Sequence, residues 1–152
     1  MTEKEFEDKL IKALSTGETG YFRELGITKE KLWDFRDDIK TTDALWDNFA
    51  QILYKNNQEK LMQPLSPTEF AQVKKEIEGL TTPYKAGQFL YGMNGVSQVE
   101  VDLDDGRHVF LTVFDQSHVG AGSTVYQVVH QIERPAKVLG KRDRRFDVTL
   151  LI

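Results

Sequence analysis

Phe146 to Ile152 read FDVTLLI, directly behind the basic run Lys141 to Arg145, KRDRR. A run this apolar and β-branched is expected to form a strand buried on both faces, because a strand with one wet face would alternate. Its single carboxylate, Asp147, sits one residue into that strand, so the reading of both fold and chemistry starts here.

Working outward, Val125 to Ile132 supply a second strand. Val99, Val101 and Leu103 alternate with Gln98, Glu100 and Asp102, then Asp105-Gly106 marks a tight turn and Val109 to Phe114 return. That is a hairpin. The first half has a different period. Thr2 with Glu5 three residues later forms a capping box, and Phe6, Leu10, Ile11 and Leu14 then make one stripe, so a helix is expected from Thr2 to Leu14. Thr28 caps a second helix carrying Leu32, Phe35 and Ile39, and Thr42 caps a third carrying Leu45, Trp46, Phe49, Ile52 and Leu53. Ser66, Pro67 and Glu69 open a fourth, with Phe70, Val73 and Ile77 as its stripe and Gly79 at its end. Helices over 1–82 followed by a sheet over 87–152 give an α+β or mixed α/β class, expected as one domain.

The chain has 152 residues, 39% hydrophobic and 29% charged, enough for one compact core and too few for a motor domain. No stretch has the roughly 18 to 20 apolar residues of a membrane span, and MTEKEFEDKL is neither a secretory signal nor a transit peptide. Zero cysteines exclude a disulfide framework, a thiolate nucleophile and a zinc site built on sulfur. A cytoplasmic location is expected. The net charge of −4 is unevenly spread: residues 134 to 152 hold six basic groups against Asp143 and Asp147, a balance of +4 that leaves −8 for residues 1–133. A basic end of this kind suits phosphates, or serves as a solvated loop before the strand.

Several constellations lead nowhere. His108, His118 and His130 have no i, i+4 spacing, so a metal triad is not expected. Ser117 and Ser123 lie near His118 without a nucleophile-elbow sequence. DLDDG at 102–106 has Val113 where a calcium loop would close with glutamate, which favours a hairpin turn. GAGST at 120–124 has Ser123 where a phosphate loop needs lysine. Asp147 is different, because a hard oxygen ligand at the end of a rigid strand, beside cations that grip phosphates, is what metal-dependent phosphodiester hydrolysis requires.

The wording around Asp147 carries a resemblance. VYQVVHQIERPAKVLGKRDRRFDVTLLI is similar to the N-terminal nuclease region of the R subunit, the motor and restriction subunit of type I restriction-modification enzymes. In that family an R-[FYP]-D-[VI]-[TV]-[LI] strand precedes an Asn-Gly-Leu-Pro turn and a second strand ending Glu-x-Lys. Arg145, Phe146, Asp147, Val148, Thr149 and Leu150 match the first of these. TEKEFEDKLIKAL also resembles the family's opening helix, whose glutamate falls on Glu7, and Gln131 matches a frequent glutamine given a supporting role. The likeness is specific at 1–14 and 125–152 and looser between.

The resemblance implies a PD-(D/E)xK fold in which Asp147 and Glu7 are catalytic, as ligands of Mg²⁺, and Lys141, Arg142, Arg144 and Arg145 meet double-stranded DNA. It also implies, for a complete subunit, an ATP-driven translocase and assembly with modification and specificity subunits, the former using S-adenosylmethionine. The Asn-Gly turn, the Glu and the Lys have no counterpart here, and KKEIE at 74–78 falls on an expected helix. The chain is therefore expected to be a partial nuclease domain, inactive alone, with its metal site unformed. Two alternatives are a non-catalytic module binding DNA or protein, and a PD-(D/E)xK nuclease of another system.

Overall fold

Thr2 and Glu5 do form the capping box: Thr2 N–H donates to Glu5 Oε2 at 2.8 Å and Glu5 N–H to Thr2 Oγ1 at 3.2 Å. Helix α1 (Glu3–Thr16) follows. The computed structural model describes residues 2–16, 33–121, 126–134 and 144–151, and of 119–121, 131, 133–134 and 144–150 only the backbone. After α1 come β1 (Asp34–Phe35), α2 (Thr42–Asn56), α3 (Pro67–Glu78), α4 (Pro83–Tyr91), β2 (Val96–Asp102), β3 (His108–Asp115), α5 (Gln116–Ala121), β4 (Gln127–Arg134) and β5 (Arg144–Leu151). The class is α+β. No helix among the described residues is long and apolar enough to cross a membrane.

The chain divides into two compact units, 1–45 with 122–152, and 46–121. Each contains both helices and a sheet, and along the chain most helices precede most strands, as expected.

In the first unit the strand order is β1-β4-β5, with β1 parallel and β5 antiparallel to β4. The segment around Phe35 and Ile39, expected as a helix, is instead β1 and a turn. Their i, i+4 spacing reads as helical, but Asp34 N–H donates to Tyr126 C=O at 2.8 Å and Arg36 N–H to Val128 C=O at 2.9 Å. The Trp33 and Tyr126 rings lie 5.0 Å apart, and buried Ile39 joins Val129 and Ile132 in one core cluster. Distant partners override local periodicity here. The remainder of that expected helix, 28–32, lies outside the described residues. Helix α2 is capped by Thr41 and not Thr42, since Ala44 N–H donates to Thr41 Oγ1 at 3.1 Å.

The second unit rests on a two-stranded antiparallel sheet, β2 with β3. Two strands alone are marginal in water. Their inner residues Val99, Val101 and Leu111 pack with Leu53 of α2 and Val73 of α3, all 2% exposed or less. The free edges are closed by side-chain amides that imitate a neighbouring strand. Asn57 accepts from Thr112 N–H at 2.8 Å and donates to Thr112 C=O at 3.0 Å and Leu53 C=O at 2.7 Å. Lys60 Nζ caps Phe110 C=O at 2.6 Å. On the other edge Gln72 accepts from Asp102 N–H at 2.9 Å and donates to its C=O at 2.8 Å. The turn joining the strands has Gly106 N–H bonded to Leu103 C=O at 2.9 Å, with Gly106 at φ +93°, a conformation that favours glycine.

Ser66 and Pro67 open α3 as expected, with both bonds of the capping box present. An N-cap followed by proline recurs, without the reciprocal bond, at Thr82 and Pro83, where Thr82 Oγ1 accepts from Lys85 N–H at 3.2 Å and starts α4. That helix was not expected. It has no buried residue, with Tyr84 73% and Tyr91 66% exposed, so it shows none of the patterned burial that reveals a helix in a sequence.

Because Asn57 is 1% exposed and holds three bonds, Asn57→Ala should lower stability to urea by about 2–3 kcal/mol. Gln72→Ala, whose partner Asp102 is exposed, should cost less than about 1 kcal/mol. Equal losses would show that the two amides are not acting as edge caps of unequal burial.

Candidate functional site

Of the stripe expected on α1, Ile11 is buried and Leu10 and Leu14 are half-buried, but Phe6 is not part of the buried face. Phe6 is 59% exposed, while Glu7, at 5%, shares the buried face with Ile11 one turn later. An isolated buried carboxylate is costly, and one that is hydrogen-bonded is tolerated. The partner is His130 of β4, whose Nε2 lies 2.5 Å from Glu7 Oε2. Glu7 Oε1 has no hydrogen bond to any described residue. His130 itself is only 18% exposed, so the contact is largely screened from water.

The expected strand forms as β5, but it begins at Arg144 and not at Phe146, so Asp147 falls near its middle and not at its end. Its neighbours Phe146 and Val148 pair with Ile132 and His130 of β4. His130, and with it Glu7 of α1, therefore stands on the sheet face of Val148, whereas position 147 belongs by the two-residue strand period to the other face. What is described of Asp147 and Gln131 is backbone alone. Arg144 and Arg145 open β5, and Lys141 and Arg142 lie outside the described residues. The burial of β5 on both faces, expected from FDVTLLI, likewise lies outside the description, except at Leu151.

The remaining motifs have structural employment. In DLDDG, Asp104 accepts from Ser66 Oγ at 2.6 Å and Thr68 Oγ1 at 3.1 Å, and Asp105 pairs with Arg107 at 2.9 Å. Asp105 is held below the usual carboxylate range, first by the backbone N–H of Arg107 and then by its side chain. KKEIE lies on α3, as its pattern predicts. Segment 116–121, expected as loop, is the short helix α5; residues 122–124 of GAGST are outside the described residues. There Ser117 Oγ donates to Asp115 at 2.6 Å and its N–H does so at 3.0 Å, which lowers the Asp115 pKa. The serine is bonded to the acid and not to His118, so the three residues do not form a nucleophile, base and acid in sequence. Among the described residues, no three His, Asp or Glu side chains gather into a metal-holding group.

His108 stands directly opposite Asp102 in the β2–β3 ladder, with Nδ1 2.6 Å from Asp102 Oδ1 and Nε2 3.7 Å from Glu100 Oε2. The bond to Asp102 raises its pKa above the ordinary value of 6.5, with the Asp102 and Glu100 charges adding to the effect. A raised pKa in the folded state means that this contribution is fully present below the unfolded value and is lost as pH rises through the folded one. Melting temperature should therefore fall as pH is raised from about 6 through the raised His108 pKa. His108→Gln should remove that component of the pH dependence; an unchanged profile would show that the contact contributes nothing to stability.

The sequence reading considers His130 only as a metal ligand, and so misses its bond to Glu7. The two residues are 123 positions apart, and a histidine in an apolar strand gives no sign of which element will supply its partner. No protein-family model matches the chain, and no curated protein matches it.

Proposed function

We propose that the chain is the front part of a Mg²⁺-dependent DNA-cleaving domain, of the kind found at the N-terminus of type I restriction R subunits and related to the PD-(D/E)xK fold. The observation that carries this reading is that the RFDVTL run forms β5, antiparallel to β4, with Asp147 near its centre. A carboxylate on a rigid strand is the kind of hard oxygen donor that Mg²⁺ takes.

In this reading Asp147 holds the cation, Glu7 is engaged with His130 on the other face of the sheet, and Arg142, Arg144 and Arg145 with Lys141 hold the DNA backbone by charge. A bound Mg²⁺ supplies polarisation of the scissile phosphate and an activated water. The Glu-x-Lys strand that would complete the donor set and stabilise developing charge is not among these 152 residues. Helix α3 cannot replace it, since KKEIE is helical. ATP binding, translocation and assembly with modification and specificity subunits belong to the same proposal and would reside in other parts of the complex.

The test uses the full-length product of the gene. Asp147→Ala should lower plasmid cleavage by about 10²-fold or more while DNA-stimulated ATP hydrolysis persists, and the 152-residue chain alone should leave the plasmid uncut. Loss of both activities in Asp147→Ala would make Asp147 a structural residue.

Reversing the charges of Arg142, Arg144 and Arg145 together should weaken DNA binding and reduce the slope of log K against log salt by about 2–3. An unchanged slope, measured by fluorescence anisotropy, would show that these arginines do not contact the DNA backbone.

A further inference from the structure

We infer that the outer face of the β2–β3 hairpin, built on Glu100, Asp102, His108 and Phe110, docks an arginine-bearing segment of a protein partner. This surface lies wholly within 46–121 and owes nothing to Asp147, so it goes beyond the nuclease reading.

The hairpin buries one face only. Val99, Val101 and Leu111 are 0% exposed and pack with the helices, whereas Glu100, Asp102, His108 and Phe110 alternate with them and meet water. Phe110, at 44% exposure, stands directly opposite Glu100 in the ladder, as His108 stands opposite Asp102. Opposed residues on one face hold their Cβ atoms about 5 Å apart, so an exposed aromatic ring and a carboxylate are presented side by side on a rigid pair of strands. The His108 and Phe110 rings meet edge-on, with centroids 5.3 Å apart.

Charge identifies the occupant. Burial, and then the Glu100 charge, raise the pKa of Glu76 on α3, so a third carboxylate borders the same face. Among the described residues Glu76 has no ion-pair partner, and Glu100 has His108 alone, at 3.7 Å. The bordering cations are engaged elsewhere, Lys60 Nζ on Phe110 C=O at 2.6 Å and Arg107 on Asp105 at 2.9 Å. An excess of carboxylates beside an exposed phenyl suits a guanidinium, whose plane stacks on an aromatic ring while its N–H fork bonds a carboxylate in pairs. An ammonium satisfies the charge without the fork, and nucleic acid is repelled by the same carboxylates. The strand edges are sealed by Asn57, Lys60 and Gln72, which leaves these side chains to make the contact.

The probe is a fluorescein-labelled peptide of alternating glycine and arginine, titrated with the full-length gene product and followed by anisotropy, with the lysine counterpart as comparison. Glu100→Gln and Phe110→Thr should each weaken binding about 3- to 5-fold, and together about 10-fold. The lysine peptide should bind about threefold less tightly than the arginine peptide. Asp47→Asn, at an exposed acid of α2, should bind like wild type. Circular dichroism and melting temperature are recorded for each variant. If Phe110→Thr fails to fold, Glu100→Gln decides the question, since the Glu100 side chain is 62% exposed. No saturable binding by wild type, or wild-type affinity in Glu100→Gln, would overturn the inference. Equal affinity for the two peptides would do the same, as would an equal loss in Asp47→Asn, which would reduce the attraction to overall charge. Self-association in sedimentation velocity that Phe110→Thr abolishes would make a second copy the occupant and overturn it too.

Discussion

Strand β4 is buried at Gln127 to Val129 and at Ile132, so the backbone N–H and C=O groups there must find partners within the protein. Gln127, Val128, Val129 and Ile132 are all 4% exposed or less, and water cannot serve them. One edge is satisfied antiparallel by β5 and the other, at its start, by the two residues of β1. This requirement explains why Trp33 to Arg36 are extended despite an apolar spacing that suits a helix. It also explains why the one ionisable group in the middle of the strand, His130, is matched by a carboxylate on α1.

The unit formed by 46–121 meets the same requirement differently. Among the described residues its sheet has two strands, so each has an outer edge without a neighbouring strand. Asn57 and Gln72 stand in for the missing strands, because a carboxamide presents the donor and acceptor of a peptide group at similar spacing. Each bonds both the N–H and the C=O of a single strand residue, Thr112 and Asp102. The helices therefore do two tasks: their apolar residues cover one face, and one polar residue from each helix region blocks an edge against unwanted pairing.

The sequence makes some of this legible and conceals the rest for physical reasons. Helix starts at Thr2 and Ser66 are readable because a capping box is local, closing over three residues. The hairpin is readable because alternation and Asp105-Gly106 coincide. What escapes notice depends on distant or absent partners: β1 exists through Tyr126 and Val128, α4 hides no residue, and the amide caps join Asn57 to Thr112 across 55 positions. The candidate site divides along the same line. Asp147 is visible because it interrupts an apolar strand, and Glu7 only through a resemblance, since a glutamate in an acidic amphipathic helix is otherwise expected to face water. That it is buried, and Phe6 exposed, follows from where β4 places a histidine.

Charge separates the two units as clearly as topology does. Residues 46–121 contain ten acidic and six basic side chains, so this unit accounts for the whole net charge of −4, and the remainder of the chain is neutral overall. Within that neutral remainder the positive groups are concentrated at 134–152, where the balance is +4. A polyanion such as DNA is repelled by the field of 46–121 and drawn to the basic end at 134–152, with the contrast sharpest at low salt. Under the proposed function this places DNA on the element that carries Asp147 and leaves 46–121 to other work. Its acidic surface, together with edges already sealed by Asn57, Lys60 and Gln72, makes strand pairing a poor way to recruit a partner there. Any contact it makes would have to use side chains on its exposed faces, such as Tyr84 and Tyr91 of α4.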